Sequence, residues 1–183
     1  AVALILGIVA SAKTRAPEFM GNVGWLVYGK AYAAHLNTLV YGWGCQAAFG
    51  VIIWLMARLS RKECRNPGTI LLAGHVWNFA VLVGMIGILS GHSTGVPWME
   101  FPAAVWPVLL ISYVFIMAGS VVQFRCKEGG HTYISQWYLL GAIIWFPWVF
   151  TTANILIFHF NGHPVMDAGI NAWFKSTLIL LFF

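Results

Sequence analysis

Six histidines and one glutamate set between two prolines are the residues of this chain best suited to hold a metal or cofactor. His35 stands in YGKAYAAHLNTLVYGWG, at the mouth of an apolar run long enough to cross a membrane. Imidazole is a common axial ligand of haem iron, and a helix bundle offers the apolar slot a porphyrin needs. Lys30, five residues earlier, supplies a cation suited to haem propionates, while Gly42 and Gly44 permit close approach by a neighbouring helix or a flat ligand. Glu100, in VPWMEFP, reads either as a solvated loop carboxylate or as part of a hard-ion site, since calcium prefers oxygen ligands. His75, in HVWN, reads as an interhelical hydrogen-bonding residue, about 20 Å from His35 by helix rise. His92 or His159 can stand level with His35, which leaves a self-contained bis-histidine haem open. Loop histidines such as His131 and His163 are ordinarily solvated.

Other chemistry is missing from the sequence. It carries no glycine-rich phosphate loop, no HExxH or paired-cysteine metal spacing, and no serine nucleophile elbow. Cys45, Cys64 and Cys126 have no paired spacing, and two of them lie in basic connectors, which fits a reducing compartment.

The elements that must position these residues follow from composition. Of the 183 residues, 60% are apolar and 8% charged, and the mean hydropathy is +0.80. Soluble domains carry about 25% charged residues, so this chain belongs in a lipid bilayer. Apolar runs at 35–57, 69–90, 103–124 and 136–160 each approach the ~20 residues that a span requires. Shorter runs at 1–12 and 171–183 read as truncated spans. The expectation is an all-α polytopic transmembrane helix bundle, four complete spans plus two truncated ones. Residues 1–183 would then form a single membrane domain, itself a fragment of a larger protein.

Arg58, Arg61, Lys62 and Arg65 lie in one connector, and Arg125 and Lys127 in another. The connectors at 91–102 and 161–170 hold no Lys or Arg. By the positive-inside rule, 58–68 and 125–135 face the cytoplasm and 13–34, 91–102 and 161–170 face outward. Lys13, Arg15 and Lys30 depart mildly from that pattern. Trp25, Tyr28, Tyr32, Trp98 and Trp106 gather toward the outer interface, as aromatic belts do. The net charge of +5 is accounted for by these flanks and does not point to nucleic acid.

In this order along the chain, GKAYAAHLN, the WMEFP loop, the connector RCKEGGHTYISQWYLLGA and the late AWF resemble catalytic subunit I of the haem–copper oxidases, within it the cbb3-type branch. The resemblance covers about residues 20 to 183. It implies that His35 is one axial ligand of a low-spin haem b near the outer face, the second coming from beyond residue 183. It implies that Glu100 lies near a calcium ion bridging haem propionates. The function so implied is that of a terminal respiratory oxidase in a bacterial inner membrane. It would oxidise cytochrome c, reduce oxygen to water and translocate protons, with cytochrome c-type donor subunits and other oxidase subunits as partners. No catalytic residue is expected within this fragment, which alone should be inactive; high-spin haem and copper belong to the full protein.

The sequence also departs from that pattern. Lys30, Tyr32 and Ala33 replace the Arg, Arg and Pro of the family run, and lysine lacks the planar fork of arginine. The family's first copper-ligating histidine has no counterpart in INAWFKSTLILLFF, where Lys175 and Ser176 stand instead. A nitric-oxide-reductase-like or copper-less relative is therefore the near alternative. A non-catalytic membrane subunit or transporter, with His35 as a packing residue, is the distant one. The topology is directly checkable. Cys64 and Cys126 should resist impermeant thiol reagents applied to the outside of intact cells and react once the membrane is opened; labelling of either from outside inverts the map.

Overall fold

The computed structural model describes residues 1–129, 132–157, 159–160 and 163–164, with side chains through residue 155. Its regular structure is helical apart from a two-residue antiparallel pairing, His159–Phe160 with His163–Pro164. Helix α1 is Val2–Arg15, a 3-10 turn covers Gly24–Leu26, and α2 runs Tyr28–Ser60 without a break. Helices α3 (Pro67–Ser90), α4 (Val105–Arg125) and α5 (Ile134–Ile157) come next. Among the described residues four helices, α2 to α5, are long and apolar enough to cross a membrane. The first apolar run forms a helix of 14 residues, about 21 Å long, short of the ~30 Å hydrocarbon core. The run at 171–183 lies outside the described residues.

The local sequence explains the boundaries. Pro67 opens α3 at a position where its missing N–H costs nothing, and Gly91 closes it at φ +100°, a left-handed conformation that glycine adopts freely. Helix α2 starts at Tyr28, seven residues before the span expected from hydropathy, so His35 sits two turns inside the helix. Its first turns carry too few apolar residues to register as membrane-spanning. They are held from outside the chain's own periodicity, by packing against α1.

The molecule is apolar outside and partly polar inside. Ile8, Trp43 and Leu72 are each about two-thirds exposed, whereas Asn37, Ser60, Ser112, Gln123 and Gln136 are buried. Helices in lipid gain nothing from hiding leucine from leucine, so small residues and hydrogen bonds form the interfaces. Ser112 donates to the Ala73 carbonyl at 2.6 Å, tying α4 to α3. Gly119 leaves room for Ile70, since a Cβ there would meet it at 2.8 Å. An aromatic cluster of Phe49, Trp77, Tyr113 and Phe146 fills the centre, with Tyr113 and Phe146 stacked at 4.4 Å.

Two helix irregularities are answered across helices. Thr38–Gly44 is a π turn in which the Cys45 N–H reaches Val40 instead of Tyr41. The Tyr41 carbonyl accepts from the Trp77 indole at 2.7 Å. In α5, Pro147 has no N–H to give to Ile143, four residues back. The Tyr113 hydroxyl donates to that carbonyl at 2.8 Å.

At one end, the 61–66 and 126–133 connectors are joined. The Glu128 N–H donates to the Ser60 carbonyl at 3.0 Å, and Lys62 pairs with Glu128 at 2.9 Å. Gln123 donates to the Lys62 carbonyl and accepts from the Arg65 N–H, while Gln136 donates to Ser60 Oγ. Both basic connectors thus lie on the same side, as the charge pattern requires. Lys13, one of the exceptions to that pattern, is buried with its ammonium on the Phe19 carbonyl at 2.6 Å.

The Tyr113–Ile143 bond yields a test. Tyr113→Phe should lower unfolding stability by about 1–3 kcal/mol, the cost of an orphaned buried carbonyl. In a Pro147→Ala background the restored N–H should absorb most of that loss. Equal losses in both backgrounds, measured by denaturant titration in detergent, would refute the substitution of one donor for the other.

Candidate functional site

Positions 35 and 37 of α2 are separated by roughly 200° around the helix axis, so their side chains leave opposite faces. His35 faces α1. Its Nδ1 lies 2.7 Å from the Ala3 carbonyl, and its ring lies over Gly7, where a Cβ would come within 2.7 Å. A carbonyl can only accept, so Nδ1 carries the proton. In the neutral ring that leaves the lone pair on Nε2, the arrangement in which metal-bound imidazoles are commonly held. The donor set therefore fits an axial ligand: a half-buried imidazole, fixed in tautomer by a backbone carbonyl.

Asn37 faces the opposite way and is fully buried. Its amide donates to the Ala33 carbonyl at 2.9 Å and to the Glu100 carboxylate, and its Oδ1 accepts from the Glu100 N–H at 3.3 Å. Glu100 is thus no solvated loop residue; it is 9% exposed. The α3–α4 connector carries it inward. Phe101 lies over Gly84 and Pro102 over Gly87, where a Cβ would approach within 2.5 Å and 2.4 Å. Trp98 takes a left-handed backbone at φ +69°, and its carbonyl accepts from the Tyr41 hydroxyl at 2.9 Å. Thr94 closes the loop by donating to the Met99 carbonyl at 2.7 Å.

Lys30 is seven residues before Asn37, on the same side of α2, with its ammonium over Gly91. The structure therefore gathers Lys30, Asn37 and Glu100 along one side of α2 and sets His35 on the other. As oxygen donors for a cation it brings the Glu100 carboxylate and the Asn37 carbonyl. Among the described residues no group of three His, Cys, Asp or Glu is placed to hold a metal ion. His75 is exposed and bonds back to the Leu71 carbonyl of its own helix at 2.7 Å, rather than across helices as its sequence context suggested. His92 is exposed beside the Ser90 hydroxyl. Side chains of His131, His159, His163, Lys175 and Ser176 lie outside the described residues. Of the aromatic belt, Trp25, Tyr28, Tyr32 and Trp98 are exposed, whereas the indole N–H of Trp106 is buried with no partner among the described residues.

Sequence reasoning did not single out Asn37 as the partner of Glu100, nor Ala3 and Gly7 as the seat of His35. One signal for the first was available: GMIGIL places Gly84 and Gly87 three apart, a smooth strip of helix able to receive an incoming loop.

No protein-family model matches the chain. Among curated proteins it is similar to the cbb3-type cytochrome c oxidase subunit CcoN1 of Stutzerimonas stutzeri, with 20% identity over 149 residues. The match takes in 78% of this chain and 30% of that relative's length. It supports a distant relationship and, with four apolar helices, an integral membrane protein.

Burial raises the Glu100 carboxyl above the ordinary carboxylate range, against the opposing pull of the Asn37 amide and of backbone N–H groups at Glu100 and Trp98. Folding then favours the protonated form. Its contribution is full below the ordinary value of 4.5 and is lost as pH rises through the raised value. In calcium-free buffer, the melting temperature of Glu100→Gln relative to wild type should therefore climb between acidic and neutral pH. A difference that does not change with pH would show that the carboxyl is not held protonated.

Proposed function

We propose that the chain is a membrane-embedded part of a respiratory-oxidase-like subunit, with His35 as an axial ligand of a low-spin haem b. One observation carries the reading: the His35 ring is anchored through Nδ1 to the Ala3 carbonyl, which puts the lone pair of the neutral ring on Nε2, beside Gly7 of α1. The distant similarity to a cbb3-type oxidase subunit supports it. When bound, the haem supplies reversible one-electron chemistry between ferric and ferrous iron. The Ala3 carbonyl, by accepting from Nδ1–H, sets the tautomer of the neutral ring and fixes the ring in place against Gly7 of α1. Lys30 offers its positive charge over Gly91, on the side of α2 away from His35. A calcium ion near Glu100 would draw on its carboxylate and the Asn37 side-chain carbonyl, taking its remaining oxygens from other groups. By holding the carboxylate ionised, it would flatten the pH dependence expected of the calcium-free protein. In the full protein, this reading assigns electron entry from cytochrome c-type partner subunits, oxygen reduction to water and proton translocation to the assembly.

The distant alternative, in which His35 only fills the space above Gly7, has the close ring contact in its favour. The two readings part on one measurement. In the intact protein, His35→Ala should abolish the low-spin haem b signal of a reduced-minus-oxidised spectrum while helix content by circular dichroism is retained. His75→Ala should leave the signal near wild type. A haem b spectrum that survives His35→Ala unchanged makes His35 a packing residue.

A further inference from the structure

The end of α2 on the side of the basic connectors opens into a cavity of about 800 Å³. Its wall includes Trp54, Arg58, Arg61, Lys62, Glu63 and Tyr133. Arg58 is in the last turn of α2, and Trp54 lies one turn nearer the bilayer centre and is 64% exposed. Tyr133, just before α5, is exposed across from it. Aromatic rings with one apolar and one wet edge favour this depth, the level of the headgroups.

The charges are distinctive. Lys62 is engaged by Glu128 at 2.9 Å, the single salt bridge among the described residues. Neither Arg58 nor Arg61 forms a salt bridge there, although the charge of Arg61 also acts on Glu128. Arg61 holds its place in a left-handed conformation at φ +53°, where glycine would be unstrained, and this turn swings it to the cavity side. Three cations against Glu63 and Glu128 leave one net positive charge. That matches a monoanionic phosphodiester better than a dianionic free phosphate. Trp54, Ala57 and Leu59 add an apolar flank, which has a use only if the anion carries acyl chains.

We propose that this cavity binds the headgroup of an anionic glycerophospholipid, its phosphodiester on Arg58 and Arg61 and its acyl chains along Trp54. Basic pockets between helices at this depth recognise such headgroups, and each Arg contributes about fivefold in affinity, so the pair contributes about thirtyfold. The site is independent of His35 and of any haem.

The test places the intact protein in phosphatidylcholine vesicles with or without phosphatidylglycerol, releases it into detergent and counts retained lipid by native mass spectrometry. Wild type should retain phosphatidylglycerol in preference to phosphatidylcholine, and less of it as salt is raised. Arg58→Gln with Arg61→Gln should lose that preference by about thirtyfold. Arg125→Gln, a basic residue of the same side but outside the cavity wall, should behave as wild type. Retention of both lipids alike by wild type overturns the proposal without any variant. So does undiminished retention by the double variant, or displacement of the lipid by inorganic phosphate, which would assign the cavity to a free anion.

Discussion

A carbonyl inside hydrocarbon has no water to turn to, so any irregularity in a membrane helix must be answered by a donor from another part of the chain. This constraint organises the bundle. The π turn at Thr38–Gly44 releases the Tyr41 carbonyl, and the Trp77 indole takes it; Pro147 releases the Ile143 carbonyl, and the Tyr113 hydroxyl takes it. Trp77 and Tyr113 are also neighbours in the central aromatic cluster. Two backbone defects on different helices are therefore repaired by side chains that pack together, which fixes how α2, α3, α4 and α5 meet.

The π turn has a second consequence. A widened turn shifts the register of the helix beyond it, and Tyr41 sits within it. Its hydroxyl holds the Trp98 carbonyl, so the position of the α3–α4 connector is tied to the same irregularity that Trp77 repairs. From there Glu100 reaches Asn37, one turn above, and Phe101 and Pro102 settle into the glycine strip of α3. His35 is held separately, by α1. The helix that carries both residues is thus clasped from two sides: by a backbone carbonyl at His35 and by a buried carboxylate at Asn37.

The opposite end of the bundle is closed by polar side chains instead of aromatics. Ser60, Gln123 and Gln136 are buried and bonded to one another and to connector backbone. Amide side chains suit the place because each can donate and accept at once, and so satisfy several connector groups with no net charge. Arg58 and Arg61 make none of these bonds and line the cavity beside the network.

The membrane bundle itself was legible in the sequence, because a span needs a long apolar run, and the placement of Lys and Arg put the two basic connectors on one side. His35 stood out for the same reason: an ionisable group beside such a run is unusual. What composition does not contain is which face of a helix meets which neighbour. Hydropathy missed the first two turns of α2, since their stability comes from contact with α1 and not from their own apolarity. It read Glu100 as either solvated or an ion ligand, because a charged residue between prolines looks like a surface loop until two glycines of a distant helix admit Phe101 and Pro102 and draw it inward. The seat of His35 on Ala3 and Gly7, about thirty residues away in the chain, likewise depends on the packing of α1 against α2. Apolar length and charge placement are local and additive, so sequence alone determined them; the pairing of faces depends on shape and on which freed carbonyl finds which donor, so the tertiary structure decided it.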